Sequence, residues 1–252
     1  MRQTETKRTI ARENYDAVLL DLDGVITDTA NLHAACWKQM FDEYLQKRAT
    51  RVGEANRPFD LATDYRLYVD GKSRFDGVRD FLASRGMQLP EGSPDDPPQA
   101  ETVGGLGNHK NDLVHKVIED VGVKPYDGSV RLIHHLRRRG FKIAVVTSSQ
   151  NCEAVLRAAG LDAFFEARVD GNTILAQHLA GKPAPDTFLM AAKLLGVEPR
   201  RAVVIEDAIS GVRAGSNGNF GLVIGVARKG NAEELRHHGA HLVVNDLGEL
   251  VD

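Results

Sequence analysis

The stretch LLDLDGVITDTANLHAACW, residues 19–37, runs from apolar residues directly into two aspartates, Asp21 and Asp23, separated by one leucine and followed by Gly24. Together with the preceding Ala17 and Val18 it reads as a strand, residues 17–23, buried on both faces. Such a strand does not ordinarily end in neighbouring carboxylates, because unpaired buried charge is costly. Side chains two apart on an extended chain share a side, so extended geometry kept through the tip aims both aspartates into one space. One of them suffices as a helix cap. The second adds repulsion unless a cation offsets it, which makes a bound metal ion the economical reading.

Similar short β-branched runs recur downstream: KIAVVTSS (142–149), AVVIED (202–207), LVIGVA (222–227) and HLVVND (241–246). Between them lie amphipathic segments such as SVRLIHHLRRRG and PDTFLMAAKLLG, each closing on a glycine with basic residues near its end, as helices do. Alternating strands and helices predict a doubly wound, mainly parallel α/β sheet with right-handed crossovers. Residues 30–120 break the alternation. They carry helical periodicity (LHAACWKQMFDEYL, GVRDFLASRG, KNDLVHKVIED) and few strand signals, which predicts a helical domain inserted into a core of residues 1–29 and 121–252. Within the insertion, residues 89–108 concentrate proline and glycine and read as a long surface loop.

Composition narrows the partners. Lys and Arg number 32 against 35 Asp and Glu, so no basic field exists to draw nucleic acid or an anionic membrane. Cys36 and Cys152 stand at neither metal-ligand nor redox-motif spacing, which favours the cytoplasm. The opening MRQTETKRTIAREN is polar and lacks the apolar centre of a secretory signal.

In an open parallel sheet, ligands gather beyond the carboxyl ends of the strands. Three runs end there in polar groups: Asp21 and Asp23; Thr147, Ser148 and Ser149; Glu206 and Asp207. Helix capping alone accounts equally well for Thr147 to Ser149, and is open for Asp207. Lys182, in GKPAPDTF, precedes a helix start, where positive charge is disfavoured, and so calls for an anion. Hard carboxylate ligands without a supporting histidine or cysteine group favour Mg²⁺ over Zn²⁺. With a lysine and hydroxyl donors, Mg²⁺ clamps a phosphoryl group. No GxxxxGK[ST] cradle is present, which leaves a carboxylate nucleophile as the plausible route.

At these residues the chain resembles the haloacid dehalogenase superfamily, with four motifs in order: DLDGVITD from Asp21, the strand-end Thr147, Lys182 in GKPAPD, and EDAISG from Glu206. It is most similar to the β-phosphoglucomutase subfamily, which carries an α-helical cap. The resemblance implies that Asp21 is the nucleophile and Asp23 the general acid/base. It implies that Asp21, the backbone carbonyl of Asp23 and Asp207 bind Mg²⁺, with Glu206 assisting. Thr147, Ser148 and Lys182 would hold the transferring phosphate, with Gly24, Thr29, Ser149 and Asn151 around phosphate or substrate. In the cap, Arg74 resembles an arginine that grips the substrate's distal phosphate, and Lys110 and Asn111 a neighbouring pair. His33 and Trp37, four residues apart, share a helix face, and the histidine is implied to steer the acid/base aspartate. Gln150 stands where the pattern tends to have a lysine.

The implied activity is conversion of β-glucose 1-phosphate to glucose 6-phosphate through the 1,6-bisphosphate, by a cytoplasmic monomer acting on a small-molecule sugar phosphate. The alternatives are a sugar-phosphate phosphatase using the same residues and, from a different class, a non-catalytic phosphosugar-binding module. A binder has no need of an acid/base carboxylate beside a nucleophile.

Overall fold

The computed structural model describes residues 10–228 and 230–251, and residues 1–9 of the polar opening lie outside it. From the amino end the chain forms β1 (Ala17–Leu20), α1 (Ala30–Val52), a π-helical turn (Tyr65–Val69), α2 (Arg74–Ser84), α3 (Val103–Val121) and α4 (Asp127–Arg138). It continues through β2 (Lys142–Val146), α5 (Cys152–Ala158), β3 (Ala167–Val169), α6 (Gly171–Ala176), α7 (Asp186–Leu195) and β4 (Ala202–Glu206). It closes with α8 (Ile209–Asn217), β5 (Leu222–Val226), α9 (Ala232–His237) and β6 (Leu242–Val244).

The strands pair in parallel in the order β3-β2-β1-β4-β5-β6, a doubly wound α/β sheet. The chain builds outward from β1 to β3, then returns to the other side of β1 for β4, which makes the β1/β4 junction the topological switch point. Leu20 stands opposite both Val145 and Ile205, so the tips of β1, β2 and β4 end side by side. This register is why polar residues distant in sequence meet.

Alternation along each buried strand feeds two apolar layers. Val18, Leu20, Val145 and Ile205 pack against Leu132 and Leu136 of α4 and Val155 of α5. Leu19, Val146 and Val204 face Phe188 of α7 and Val212 of α8. Each such side chain contributes on the order of 1.5–3 kcal/mol on burial. A third cluster lies wholly between β1 and α4: Trp37, Phe41, Phe59 and Phe81 pack together, with the Phe41 and Phe81 rings 4.2 Å apart at their centroids. The helical segment after β1 therefore carries its own apolar centre.

One expectation needs correction, and one strand was missed. The surface loop read over residues 89–108 ends at Thr102, whose side chain accepts from Gly105 N and caps α3. Residues 104 and 105 lie in that helix and must be glycine, because a Cβ there would lie 2.1 Å from Ser93 O and 2.2 Å from Ala100 O; the preceding loop lies against the helix backbone. The edge strand β3 carries no long apolar run and had no counterpart in the sequence reading.

Candidate active site

β1 ends at Leu20, and the chain beyond it does not stay extended. Gly24 N donates to Thr27 O at 2.8 Å in a tight turn, with Gly24 at φ +90°, so strand alternation is not what brings the two aspartates together. The turn does so instead: both line one cleft between the sheet tips and the helical segment. A Cβ on Gly24 would lie 2.2 Å from Asp207 Oδ2, so this position must lack a side chain for the Asp207 carboxylate to approach.

Asp21, Glu206 and Asp207 are buried, and each offers a carboxylate oxygen within 4.8 Å of the others. Lys182 is buried against them, donating to Asp21 Oδ1 at 2.6 Å, Glu206 Oε1 at 2.5 Å and Val146 O at 3.2 Å. Burial is the main influence raising the Asp21 pKa; Lys182 opposes it, while Glu206, Asp23 and Asp207 add to it. Burial works against the charge on Lys182, yet Asp21 and Glu206 hold its pKa above the ordinary value. Three buried carboxylates against one ammonium leave excess negative charge among hard oxygen donors, a set that fits a divalent cation. Asp207 is no cap: α8 is capped at Ala208, whose N–H donates to Glu206 Oε2.

Asp23 faces the other way. Its carboxylate accepts from the Thr29 hydroxyl and from Thr147 Oγ1 at 3.3 Å. His33 Nε2 lies 3.1 Å from Asp23 Oδ1, without the alignment of a full hydrogen bond. Lys110 Nζ lies 2.7 Å from His33 Nδ1 and 5.1 Å from the Trp37 ring centroid. An ammonium can only donate, so Nδ1 accepts and the ring proton sits on Nε2, towards Asp23. Burial disfavours ionisation of Asp23, but His33, Thr29 and Lys110 outweigh it and hold the carboxyl well below the usual range. Burial lowers the Lys110 pKa to about 8. The two carboxyls are thus driven in opposite directions by their protein surroundings.

The loop after β2 meets the helical segment. Ser148 Oγ donates to Gly71 O at 2.9 Å, while Thr147 Oγ1 accepts from Ser149 N. Asn151 is the helix-cap residue of α5 but makes no side-chain cap. Its amide is engaged by α3, donating to Asn111 Oδ1 at 3.0 Å and standing 2.5 Å from His115 Nε2. Arg74, which also lines the cleft, donates to Gln150 Oε1 and, at 2.9 Å, to Asn108 Oδ1. Its partners are amides, and burial lowers its pKa. A desolvated guanidinium so held is set to receive an anion.

Of the residues singled out from sequence, Asp21, Asp23, His33, Trp37, Arg74, Lys110, Asn111, Thr147, Ser148, Ser149 and Asp207 line the cleft. Lys182 and Glu206 stand behind Asp21, and Gly24, Thr29 and Asn151 set the positions of neighbours. Sequence reasoning missed Tyr65, Asp70, Gly71 and Lys72, which also line it. The available signal was their position just ahead of Arg74. It also missed Arg228, which donates to Gly24 O at 2.9 Å and braces the turn.

The fold and cleft define an enzyme of the phosphotransferase and phosphatase type, with helices closing over the tips of a parallel sheet. A family model for haloacid dehalogenase-like hydrolases matches residues 15–219, and the chain belongs to that family. The β-phosphoglucomutases of Mycobacterium bovis and Mycobacterium tuberculosis are each 56% identical to it over 242 residues, covering 95% of this chain and 92% of theirs. The β-phosphoglucomutase of Bacillus subtilis is 31% identical, over 93% of this chain and 91% of its own. Among solved structures, that of β-phosphoglucomutase from Clostridium difficile matches with a TM-score of 0.73 at 26% identity, covering 94% and 93% of the two chains.

Proposed function

We propose that the enzyme interconverts β-glucose 1-phosphate and glucose 6-phosphate through the 1,6-bisphosphate, with Asp21 carrying the phosphoryl group between displacements. What carries the reading is that one cleft holds both a carboxylate nucleophile with its acid/base and the amide-held Arg74. A monophosphate hydrolase needs only the first; a bisphosphate that presents either end to Asp21 needs both. The similarity to β-phosphoglucomutases over nearly the whole chain supports the same choice.

Asp21, Asp207 and the backbone carbonyl of Asp23 would hold Mg²⁺, with Glu206 assisting. When bound, Mg²⁺ offsets charge on the transferring phosphoryl oxygens. Lys182 contributes positive charge at the same place; Ser148, whose hydroxyl is engaged by Gly71 O, would offer its backbone N–H, and Thr147 completes the cradle. Asp23, held ionised, removes the proton from the attacking sugar hydroxyl and returns it to the departing one. The helical segment excludes water, so the aspartyl phosphate passes to sugar and not to hydroxide. The domain division at residues 30–120, a monomeric state and a cytoplasmic setting belong to this reading. Among the described residues, no helix is long and apolar enough to cross a membrane.

Incubation with Mg²⁺, β-glucose 1-phosphate and a trace of the 1,6-bisphosphate is expected to yield glucose 6-phosphate. Inorganic phosphate as the main product would select the phosphatase. Arg74→Ala is expected to lower kcat/KM for the sugar phosphate by about 10- to 100-fold, the loss typical of a charge-assisted contact. Phosphoenzyme formation from acetyl phosphate, which has no distal group, should be spared; equal losses in both assays would remove the distal-grip role.

A further inference from the structure

Arg228 takes no part in the mechanism above, yet its guanidinium joins three parts of the chain that the site depends on. β4 and β5 pair with Glu206 opposite Gly225, so the chain leaving β5 at Val226 emerges beside the tip that carries Glu206 and Asp207. Arg228 stands two residues further on, its side chain 15% exposed. Its Nε donates to Gly24 O at 2.9 Å and its Nη1 to Asp246 Oδ2 at 3.0 Å. The guanidinium carbon lies 3.5 Å from the centroid of the Tyr126 ring, so the flat face is occupied as well.

Gly24 and Tyr126 belong to the two crossings between the sheet and the helical segment. The first runs from β1 to α1 and carries Asp21 and Asp23; the second runs from α3 to α4. They are laced together: Asp28 N donates to Lys124 O and Tyr126 N to Ile26 O, each at 2.9 Å, and the Tyr126 hydroxyl donates to Asp28 Oδ1 at 2.8 Å. Arg228 is where the core holds both crossings at once. The Asp207 carboxylate packs so closely on the Gly24 backbone that no Cβ fits between them, and its charge is felt at the Tyr126 hydroxyl. A shift of the Gly24 turn therefore alters the surface against which Asp207 is set, and with it the spacing of the Asp21, Glu206 and Asp207 oxygens.

We infer that Arg228 is a positioning residue for the cation site: by tying Gly24 O to Tyr126 and Asp246, it fixes the turn that carries Asp21 and Asp23 relative to Asp207. This rests on the reading that Asp21 and Asp207 hold Mg²⁺, and not on which sugar is bound. An arginine is required because one planar group must donate in two directions and stack in a third; an ammonium supplies the charge without the fork or the plane.

The test is the Mg²⁺ dependence of the unfolding midpoint, which needs no turnover. Arg228→Met keeps the stem and removes the donors. It is expected to raise the Mg²⁺ concentration that gives half of the midpoint shift by about 10- to 100-fold, the loss typical when a group that orients metal ligands is removed. Arg228→Lys keeps the charge and should move that concentration the same way by about fivefold or more, and it serves alone if the methionine variant does not fold. Phosphoenzyme formation from acetyl phosphate should show the same displaced Mg²⁺ requirement. A lower midpoint in chelator, with half-saturating Mg²⁺ within about twofold of wild type, would reduce Arg228 to a support of the fold and overturn the assignment. Wild-type Mg²⁺ dependence in the lysine variant would do the same, because charge alone would then suffice. A wild-type midpoint indifferent to Mg²⁺ would instead strike the cation reading itself, and this assignment with it.

Discussion

Asp21→Asn is expected to abolish the phosphoenzyme. Incubated with acetyl phosphate or a bisphosphate donor, wild type should accumulate a hydroxylamine-labile acyl phosphate, and the variant none. Turnover should fall by roughly 10⁴-fold or more, the scale seen when a nucleophile is removed from an otherwise intact site. The same substitution should not weaken the fold. Asp21 is a carboxylate whose burial raises its pKa, and its removal leaves Lys182 paired with Glu206. Denaturant midpoints at pH 7 equal to or above wild type are therefore expected, since an unfavourably buried charge has been neutralised at constant size. Undiminished labelling of the variant would place the phosphoryl acceptor elsewhere.

Lys182→Met has the opposite character. It keeps the volume and apolar stem beside Phe188 but leaves Asp21 and Glu206 buried without their cation. Breaking a buried ion pair from one side typically costs about 3–5 kcal/mol. Part of that loss should return with Mg²⁺, and the gain in unfolding midpoint on adding Mg²⁺ should be larger in the variant than in wild type. The pH dependence has a definite sign. The folded-state pKa values of Asp21 and Glu206 are already raised, first of all by burial, with Lys182 acting against it. Removing Lys182 raises them further, so the folded variant binds more protons than the unfolded chain above the ordinary carboxylate range. Its deficit against wild type should then shrink as pH falls from 7.5 towards 5, in the presence of chelator. A deficit independent of both Mg²⁺ and pH would mean that Lys182 acts through packing alone.

Much of this site was legible before any coordinates. Parallel strands buried on both faces write themselves as apolar runs, and polar residues at their ends need only the sheet register to meet. Asp21, Thr147, Glu206 and Asp207 were therefore readable from local pattern, and Lys182 from charge at an unfavourable helix end. What escaped notice depends on long-range contact. Gly104 and Gly105 read as loop because intrinsic propensity penalises them in a helix, and only the close approach of Ser93 and Ala100 explains why no side chain can stand there. The three residues of β3 are too few to carry a period. Asp70, which ends the irregular turn begun by Tyr65, is held by Ser210, 140 places away in sequence. The placement of Gln150 against Arg74 is likewise a property of closure, and no local pattern encodes it.

The two serine tethers have a consequence for how such an enzyme acquires new substrates. Ser148 and Ser210 grasp main-chain oxygens of residues 70 and 71, so the lid is fastened by atoms that every amino acid possesses. Randomising position 70 in a library, with Gly71 left untouched, should therefore yield variants that still shut over Asp21, whichever side chain stands there. Side-chain identity and closure are thus separable at residues 70 and 71, and one can drift without unmaking the other.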